Sequence, residues 1–169
     1  MNDVKEKNQN YFMTREQQFM QEAVKTGLEG MRSGKGGPFG CVIAKNDKII
    51  GRGCNNVLQT NDPTAHAEVV AIRDACARLQ SFQLEGCEIY TSCEPCPMCM
   101  GAIYWARPAK VYYASTKEDA SSIGFDDSFI YDELGLPTGQ RKIEMQCLRH
   151  EEADKMFEEW KTSGNKMLY

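Results

Sequence analysis

The strongest constraint on the fold of this chain is a pair of short motifs whose polar side chains must meet. The first motif is His66-Ala67-Glu68, and the second is Pro95-Cys96-Pro97-Met98-Cys99. One imidazole and two thiolates suit zinc, and three protein ligands leave the fourth position of a tetrahedral zinc ion open to water. Glu68 is placed to move a proton of that water rather than to bind the metal. The fold must therefore bring both motifs to one predicted zinc site, formed by His66, Cys96 and Cys99.

Both motifs fall at predicted helix starts. Pro63 and Thr64 precede the first motif, and Pro97 occupies the first turn of the second helix, where proline is favoured. A helix N-terminus carries partial positive charge, which lowers the pKa of thiols and attracts anions. Cys96 and Cys99 are three residues apart and therefore share one helix face. The sequence predicts two helix N-termini directed at one metal ion.

The remaining patterns alternate between helix and strand. A capping box of Thr14 and Gln17 begins an amphipathic helix that runs up to Gly34. Asn46-Asp47 separates two strand patterns, which predicts a hairpin. The predicted elements are strands at 39–44 and 48–53, a helix at 64–79, a strand at 88–91, a helix at 96–106, strands at 111–114 and 143–148, and a last helix containing Ala153, Met156, Phe157 and Trp160.

This alternation predicts an α/β fold, a three-layer α/β/α sandwich with a central mixed sheet. We expect one domain over residues 1–169, because no repeat or linker divides the chain. Residues 1–13 are expected to form a flexible arm, and residues 151–169 a C-terminal helix and tail.

Composition and charge exclude several functions. With 41% hydrophobic and 26% charged residues, the chain is typical of a globular protein. The net charge of −4 argues against a broad phosphate-binding surface, and therefore against a nucleic-acid partner. No run approaches the ~18 apolar residues of a membrane span, and no secretory signal is evident. We expect a cytoplasmic protein whose eight cysteines are thiols and metal ligands rather than disulfides.

Other interpretations of the motifs stay open. A Cys-x-x-Cys pair can serve redox chemistry, although no thioredoxin-like pattern surrounds this one. Cys93, Cys96 and Cys99 also approach iron–sulfur spacing, but the next cysteine is Cys147. If Cys93 were a fourth zinc ligand, it would close the site and leave a binding module without catalysis. Glu68 could simply interact with the helix dipole.

The pattern H-x-E…P-C-x-x-C is typical of zinc-dependent nucleobase deaminases, and longer segments resemble one family among them. These segments resemble bacterial guanine deaminases of the small cytidine-deaminase-like type over most of residues 15–169, more weakly at about 135–155. The HAE and PCPMC blocks are shared with tRNA adenosine deaminases, whereas GFDDSFIY and the terminal tyrosine narrow the resemblance to guanine. The segments are GGPFG (36–40), NNV (55–57), NDPTAHAEVVAIR (61–73), YTSCEPCPMCMGAIYWARP (90–108) and GFDDSFIY (124–131).

The resemblance implies a cytidine-deaminase-like fold and hydrolysis of guanine to xanthine and ammonia, as in purine catabolism, with one zinc ion per subunit. His66, Cys96 and Cys99 would hold the zinc, and Glu68 would transfer protons. The resemblance also implies a homodimer in which the C-terminal segment crosses to the other subunit, so that Tyr169 reaches the partner's site.

For the purine, the resemblance implies a ring that stacks on Phe39 and hydrogen bonds to Asn55 and the Ala67 backbone. Asp127 would contact the amino group and assist proton transfer, and Trp105 would line the pocket. Plainer interpretations also stand: Asn55 as a strand end, Phe39 and Trp105 as core aromatics, Asp126 and Asp127 as helix caps, and Tyr169 as a disordered end.

Two other substrates fit the same motifs. Similar enzymes act on guanosine, and their pockets differ in whether ribose is admitted. A tRNA adenosine deaminase would need positive charge around the site for backbone phosphates, which the acidic net charge of this chain disfavours.

Overall fold

The structure is a computed structural model that describes residues 13–168. Within this range the chain forms four strands, seven α-helices and a 3₁₀ turn at Thr138–Gln140. In chain order these are α1 (Arg15–Arg32), β1 (Gly40–Lys45), β2 (Lys48–Cys54), α2 (Val57–Thr60), α3 (Ala67–Leu79), β3 (Glu88–Cys93), α4 (Pro97–Ala106), β4 (Lys110–Ser115), α5 (Lys117–Ser122), α6 (Ser128–Gly135) and α7 (Glu151–Thr162).

The four strands form one mixed sheet in the order β2-β1-β3-β4. Strand β1 is antiparallel to both β2 and β3, whereas β3 and β4 are parallel. The hairpin between β1 and β2 turns at Asn46 and Asp47, which both have positive φ, the geometry of tight hairpin turns. Helix α1 covers one face of the sheet, and α3 and α4 cover the other. The predicted three-layer α/β/α sandwich is confirmed.

Alternation along the strands divides the core between the two faces. Ile43 and Ile89 point towards α3 and α4, whereas Val42 and Tyr90 point towards α1. Helix α3 lies so close to β2 that a Cβ atom at Gly53 would overlap the backbone of α3. Glycine, which has no Cβ atom, permits this approach. This close approach sets the position of the N-terminal turn of α3, where the first motif lies.

The helical and strand patterns before residue 116 are confirmed with small shifts at their ends. The predicted capping box of Thr14 and Gln17 is present at the start of α1. The helix predicted at 64–79 begins at Ala67, since His66 is extended and forms its N-cap. Strand β3 continues to Cys93, two residues beyond the prediction.

The prediction of a last strand at 143–148 is wrong. These residues form no strand in the described chain, and Ile143 and Leu148 are 79% and 90% exposed. An extended segment becomes a strand only when a neighbour satisfies its backbone hydrogen bonds, and this segment lies beside none. Two short helices, α2 and α5, were not predicted, although the capping box of Thr116 and Asp119 at α5 is visible in the sequence. Helix α6 was predicted only in the interpretation of Asp126 and Asp127 as helix caps.

The predicted C-terminal helix is confirmed as α7. Its apolar residues Met156, Phe157 and Trp160 are all exposed. Most of the predicted N-terminal arm, residues 1–12, and the last residue, Tyr169, lie outside the described residues. Among residues 13–168, no helix is both long and apolar enough to cross a membrane.

Candidate metal centre and pocket

Three possible metal ligands come together where the N-termini of α3 and α4 meet. His66 is the N-cap of α3 and Cys96 is the N-cap of α4, with Cys99 one turn further along α4. The Nδ1 atom of His66 lies 3.6 Å from the Sγ atoms of both Cys96 and Cys99. One ligand atom from each side chain lies within 4.8 Å of the others. Two helix N-termini therefore point at one site, as the sequence predicts.

These distances fit a tetrahedral zinc ion. Zinc bonds of about 2.05 Å to nitrogen and 2.3 Å to sulfur place the two ligand atoms about 3.6 Å apart, the separation observed here. The two thiols are not equivalent. Interaction with the Cys99 side chain, and then with His66, lowers the pKa of Cys96 to about 4, whereas the interaction with Cys96 and burial raise the pKa of Cys99. A bound zinc ion would displace the Cys99 proton, since metal ligands bind as thiolates.

Cys93 lies outside this group of ligands. Its thiol donates a hydrogen bond to the carbonyl oxygen of Thr116 at 3.3 Å. Burial raises the pKa of Cys93 to about 11, which keeps it protonated at neutral pH. The geometry therefore favours three protein ligands and an open fourth position over the closed, non-catalytic site.

Glu68 lies beside the three ligands in the first turn of α3 and is only 6% exposed. Its Oε1 accepts a hydrogen bond from the Thr91 hydroxyl at 2.8 Å, and its Oε2 accepts one from the Cys99 thiol at 3.3 Å. Thr91 was not predicted from the sequence. Its only signal is a polar side chain at an inward position of β3, between Ile89 and Cys93.

The ligands and Glu68 form one wall of a cavity of about 520 Å³. The structure brings seven of the predicted site residues to this cavity: Phe39, Asn55, His66, Glu68, Cys96, Cys99 and Asp127. Sequence reasoning missed several other lining residues, among them Gly36, Gly37, Leu58, Lys117 and Phe125.

Two further predicted residues lie away from the cavity wall, and a third is not described. Ala67 is fully buried and does not line the cavity. Trp105 is on α4 and 63% exposed, outside the cavity formed by its own chain. Tyr169 lies outside the described residues.

Two aromatic rings meet at one side of the cavity. The ring centroids of Phe39 and Phe125 are 4.9 Å apart and the rings are nearly perpendicular, at 87°. A Cβ atom at Gly37 would lie 2.8 Å from the Phe125 ring and 2.9 Å from the Phe39 ring. Gly37 therefore makes room for an edge-to-face pair, which holds the Phe39 ring at a defined angle.

Asn55 has a fixed amide orientation at the edge of the cavity. It is 5% exposed, and its Oδ1 accepts the backbone N–H of Val57 at 3.3 Å. A Cβ atom at Gly36 would overlap this amide, so the glycine-rich loop can close over Asn55 only with glycine here. Oδ1 already accepts one hydrogen bond, and the amide nitrogen is a donor that Asn55 can offer to a ligand.

The two adjacent aspartates have different environments. Asp126 Oδ1 accepts the backbone N–H of Ser128 at 2.9 Å, and hydrogen bonds from Ser128 lower the pKa of Asp126. In the described structure both side chains line the cavity, and the Asp127 side chain does not cap α6. Burial, followed by the nearby Cys96, raises the pKa of Asp127. The capping interpretation therefore suits Asp126, and the ligand-binding interpretation suits Asp127.

Comparison with known proteins identifies a family and its members. The family described as the cytidine and deoxycytidylate deaminase zinc-binding region matches residues 13–115. Guanine deaminase from Bacillus subtilis is 52% identical over 151 residues, which cover 89% of this chain and 97% of that protein. An X-ray structure of guanine deaminase from Bacillus subtilis covers 93% of this chain and 99% of its own, at a TM-score of 0.89 and 52% identity. The tRNA-specific adenosine deaminase of Aquifex aeolicus is 35% identical over 123 residues, or 73% of this chain and 79% of that protein.

Proposed function

This chain belongs to the cytidine and deoxycytidylate deaminase family, and on that premise we propose that it is a zinc-dependent guanine deaminase. It hydrolyses guanine to xanthine and ammonia, a step of purine catabolism. The observation that carries this assignment is the likeness to Bacillus subtilis guanine deaminase, which spans nearly the whole of both chains. This likeness extends beyond residue 115 to the region in which Asp127 lines the cavity.

Zinc is the cofactor of this family, and its ligands here are His66, Cys96 and Cys99. When bound, the zinc ion makes water available as a nucleophile near neutral pH. The two helix N-termini add partial positive charge on the same side of the cavity, which favours the anionic ligands.

Glu68 transfers the protons of the reaction. Its Oε2 lies on the side of Cys99, next to the ligand group, and takes a proton from the water that attacks C2 of guanine. Glu68 then delivers that proton to a ring nitrogen, and next moves the proton of the hydroxyl now bonded to C2 to the amino nitrogen, so that ammonia leaves as the C2 carbonyl forms. Because Glu68 is almost fully buried, little bulk water competes for these protons.

Phe39, Asn55 and Asp127 hold the purine. The Phe39 ring, fixed by Phe125, offers a flat apolar face for stacking. The amide nitrogen of Asn55 donates to an acceptor atom of the base, and the Ala67 backbone adds a second polar contact. The Asp127 carboxylate accepts from the amino group of the base and assists its departure, since an ionised acceptor makes a strong hydrogen bond to an N–H donor.

The protein acts as a homodimer in which the C-terminal segment crosses to the partner. Helices α6 and α7 expose six large apolar or aromatic side chains, and Trp105 of α4 is 63% exposed. Exposed apolar surface of this kind is typical of an interaction site. A crossing segment would cover these side chains and bring Tyr169 to the partner's site. A segment that docks on its own subunit is the alternative. The exposed residues are Phe129, Tyr131, Leu134, Met156, Phe157 and Trp160.

A cytoplasmic location, with a small-molecule substrate rather than nucleic acid, completes the proposal. All eight cysteines are free thiols, as is usual in reducing compartments. The net charge of −4 offers little attraction to a phosphate backbone.

The decisive experiment measures ammonia release by the zinc-loaded protein from guanine, guanosine, adenine, cytosine and cytidine. We expect a strong preference for guanine. A preference for guanosine would keep the zinc chemistry and show that the pocket admits ribose. A zinc-loaded protein that releases ammonia from none of them would refute the proposal and direct the search to tRNA.

A further inference from the structure

Thr91 is a polar residue at a buried position where core packing favours an apolar side chain. It lies on β3, an internal strand, and is 1% exposed. Its neighbours on the same face of that strand, Ile89 and Cys93, are buried as well. A buried hydroxyl costs free energy unless it forms a hydrogen bond. This position therefore needs an explanation other than core packing.

The partner of this hydroxyl is the carboxylate of Glu68. Thr91 Oγ1 donates to Glu68 Oε1 at 2.8 Å, across from β3 to the first turn of α3. In the sheet, Thr91 is paired with Cys41 of β1, whose thiol is directed at the carbonyl oxygen of Val42, 3.9 Å away. Thr91 thus supplies a hydroxyl donor directly beneath the carboxylate.

The second donor to Glu68 disappears when the metal site is filled. The Cys99 thiol donates to Glu68 Oε2 at 3.3 Å, but a cysteine that binds zinc has lost its proton. Of these two donors, Thr91 alone then remains. It occupies Oε1 and leaves Oε2 facing the metal ligands, where the proton must be taken up.

We propose that Thr91 is the positioning residue that fixes the orientation of the Glu68 carboxylate and selects Oε2 as the oxygen that transfers protons. This role rests on the proposed function, in which Glu68 moves protons between water and the base. The bond to Oε1 persists in both states of Glu68. The hydroxyl can donate both to a carboxylate and to the carbonyl oxygen of a carboxylic acid whose proton is on Oε2.

The test compares Thr91→Val, which removes the hydroxyl at nearly the same size, with Thr91→Ser, which keeps it. Partners that orient a functional group typically contribute 10- to 100-fold to activity. We expect Thr91→Val to keep one zinc ion per chain and a nearly unchanged KM, while kcat falls by roughly 10- to 100-fold. Thr91→Ser restores most of that loss. The matched control is Thr26→Val on α1, where the lost hydroxyl had bonded to the backbone of Glu22.

A kcat of Thr91→Val within twofold of the parent overturns the proposal, as does an equal loss in Thr91→Val and Thr91→Ser. If the valine variant does not fold, Thr91→Ala makes the same comparison with serine. Crystal structures of the zinc-loaded parent and hydroxyl-free variant give a second readout, and an unmoved Glu68 carboxylate contradicts the role. The structural readout tests the role of Thr91 independently of activity. If the parent releases no ammonia from guanine, that result refutes the proposed function and not the orientation of Glu68 by Thr91.

Discussion

The two parts of this chain, residues 13–115 and residues 116–168, differ in how their side chains are covered. The first part contains the sheet, helices α1 to α4 and every buried residue of the described chain. In the second part, helices α5 to α7 have no buried residue. The first part therefore has hydrophobic cores of its own, whereas most apolar side chains of the second part are left uncovered by the rest of the described chain.

This difference divides the residues that line the cavity. The metal ligands, Glu68 and Thr91 all belong to the first part and are held by elements with buried faces. Asp127, Phe125 and Lys117 reach the same cavity from the second part. Segments with few buried contacts open more readily than a packed core. We therefore expect the second part to open more readily than the metal centre, which the packed first part holds in place.

The largest effect expected is the loss of zinc from the first part. Cys99→Ser replaces a thiolate with a hydroxyl that stays protonated, so the variant should lose zinc and all measurable ammonia release. It should also unfold at a lower temperature, because metal bound to the native state stabilises it. Metal content, activity and thermal unfolding are measured together on the purified protein.

Cys147→Ser is the matched control, since Cys147 is an exposed cysteine of the second part. It should keep zinc, activity and unfolding temperature. A Cys99→Ser protein that retains one zinc ion per chain and normal turnover would contradict the ligand set.

Glu68→Gln tests the proton transfer without disturbing the metal. The amide keeps the shape of the side chain and can still accept from Thr91, but it cannot take up a proton. We expect kcat to fall by about 10²- to 10⁴-fold with zinc still bound. The control is Glu29→Gln, at an exposed position of α1, and turnover in Glu68→Gln equal to this control would refute the assignment.

A smaller effect is expected in the second part, at Asp127. Asp127→Asn weakens a charge-assisted hydrogen bond to the base, which should lower kcat/KM for guanine by roughly 10- to 100-fold and leave the zinc content unchanged. Asp126 lines the cavity as well, but Asp126→Asn should have a smaller effect, because its Oδ1 accepts the backbone N–H of Ser128 and an amide oxygen can still do so. Equal losses at the two positions would show that the loop, rather than the Asp127 carboxylate, determines recognition.

The parts also differ in how well their structure follows from sequence. In the first part the signals are local: a capping box at Thr14, turn residues at 46–47, and prolines beside both motifs. Each signal acts within a few residues, so helices α1, α3 and α4 and the hairpin were predictable, whereas the short helix α2 was not. The convergence of His66 with Cys96 was predicted from their chemistry as zinc ligands. Thr91 was missed because its role depends on a carboxylate from another element, which no local pattern reveals.

In the second part local patterns misled or were insufficient. The alternating apolar residues at 143–148 predicted a strand, but a strand requires a neighbour and none lies beside this segment in the described chain. The roles of Trp105 and Tyr169 depend on where the C-terminal segment docks, and crossing and self-docking segments share one sequence. Asp127 was predictable only through resemblance to known enzymes, since its pattern alone fits a helix cap equally well.

The smallest effect is expected from deleting Leu168 and Tyr169. This deletion tests whether the second part completes the site of its own chain or that of a partner. If Tyr169 reaches a partner's site, the deletion removes about one hydrogen bond and should lower kcat/KM by roughly 2- to 12-fold. The unfolding temperature should barely change, because Leu168 is 78% exposed.

Mixing this deletion with an inactive Glu68→Gln chain distinguishes the two docking modes. With a crossing tail, a mixed dimer pairs the intact Glu68 site with the intact tail of the other chain, so activity per active site should rise towards that of the parent. With a self-docked tail, mixing should leave the activity of the truncated chain unchanged, and the second part would then complete only its own site.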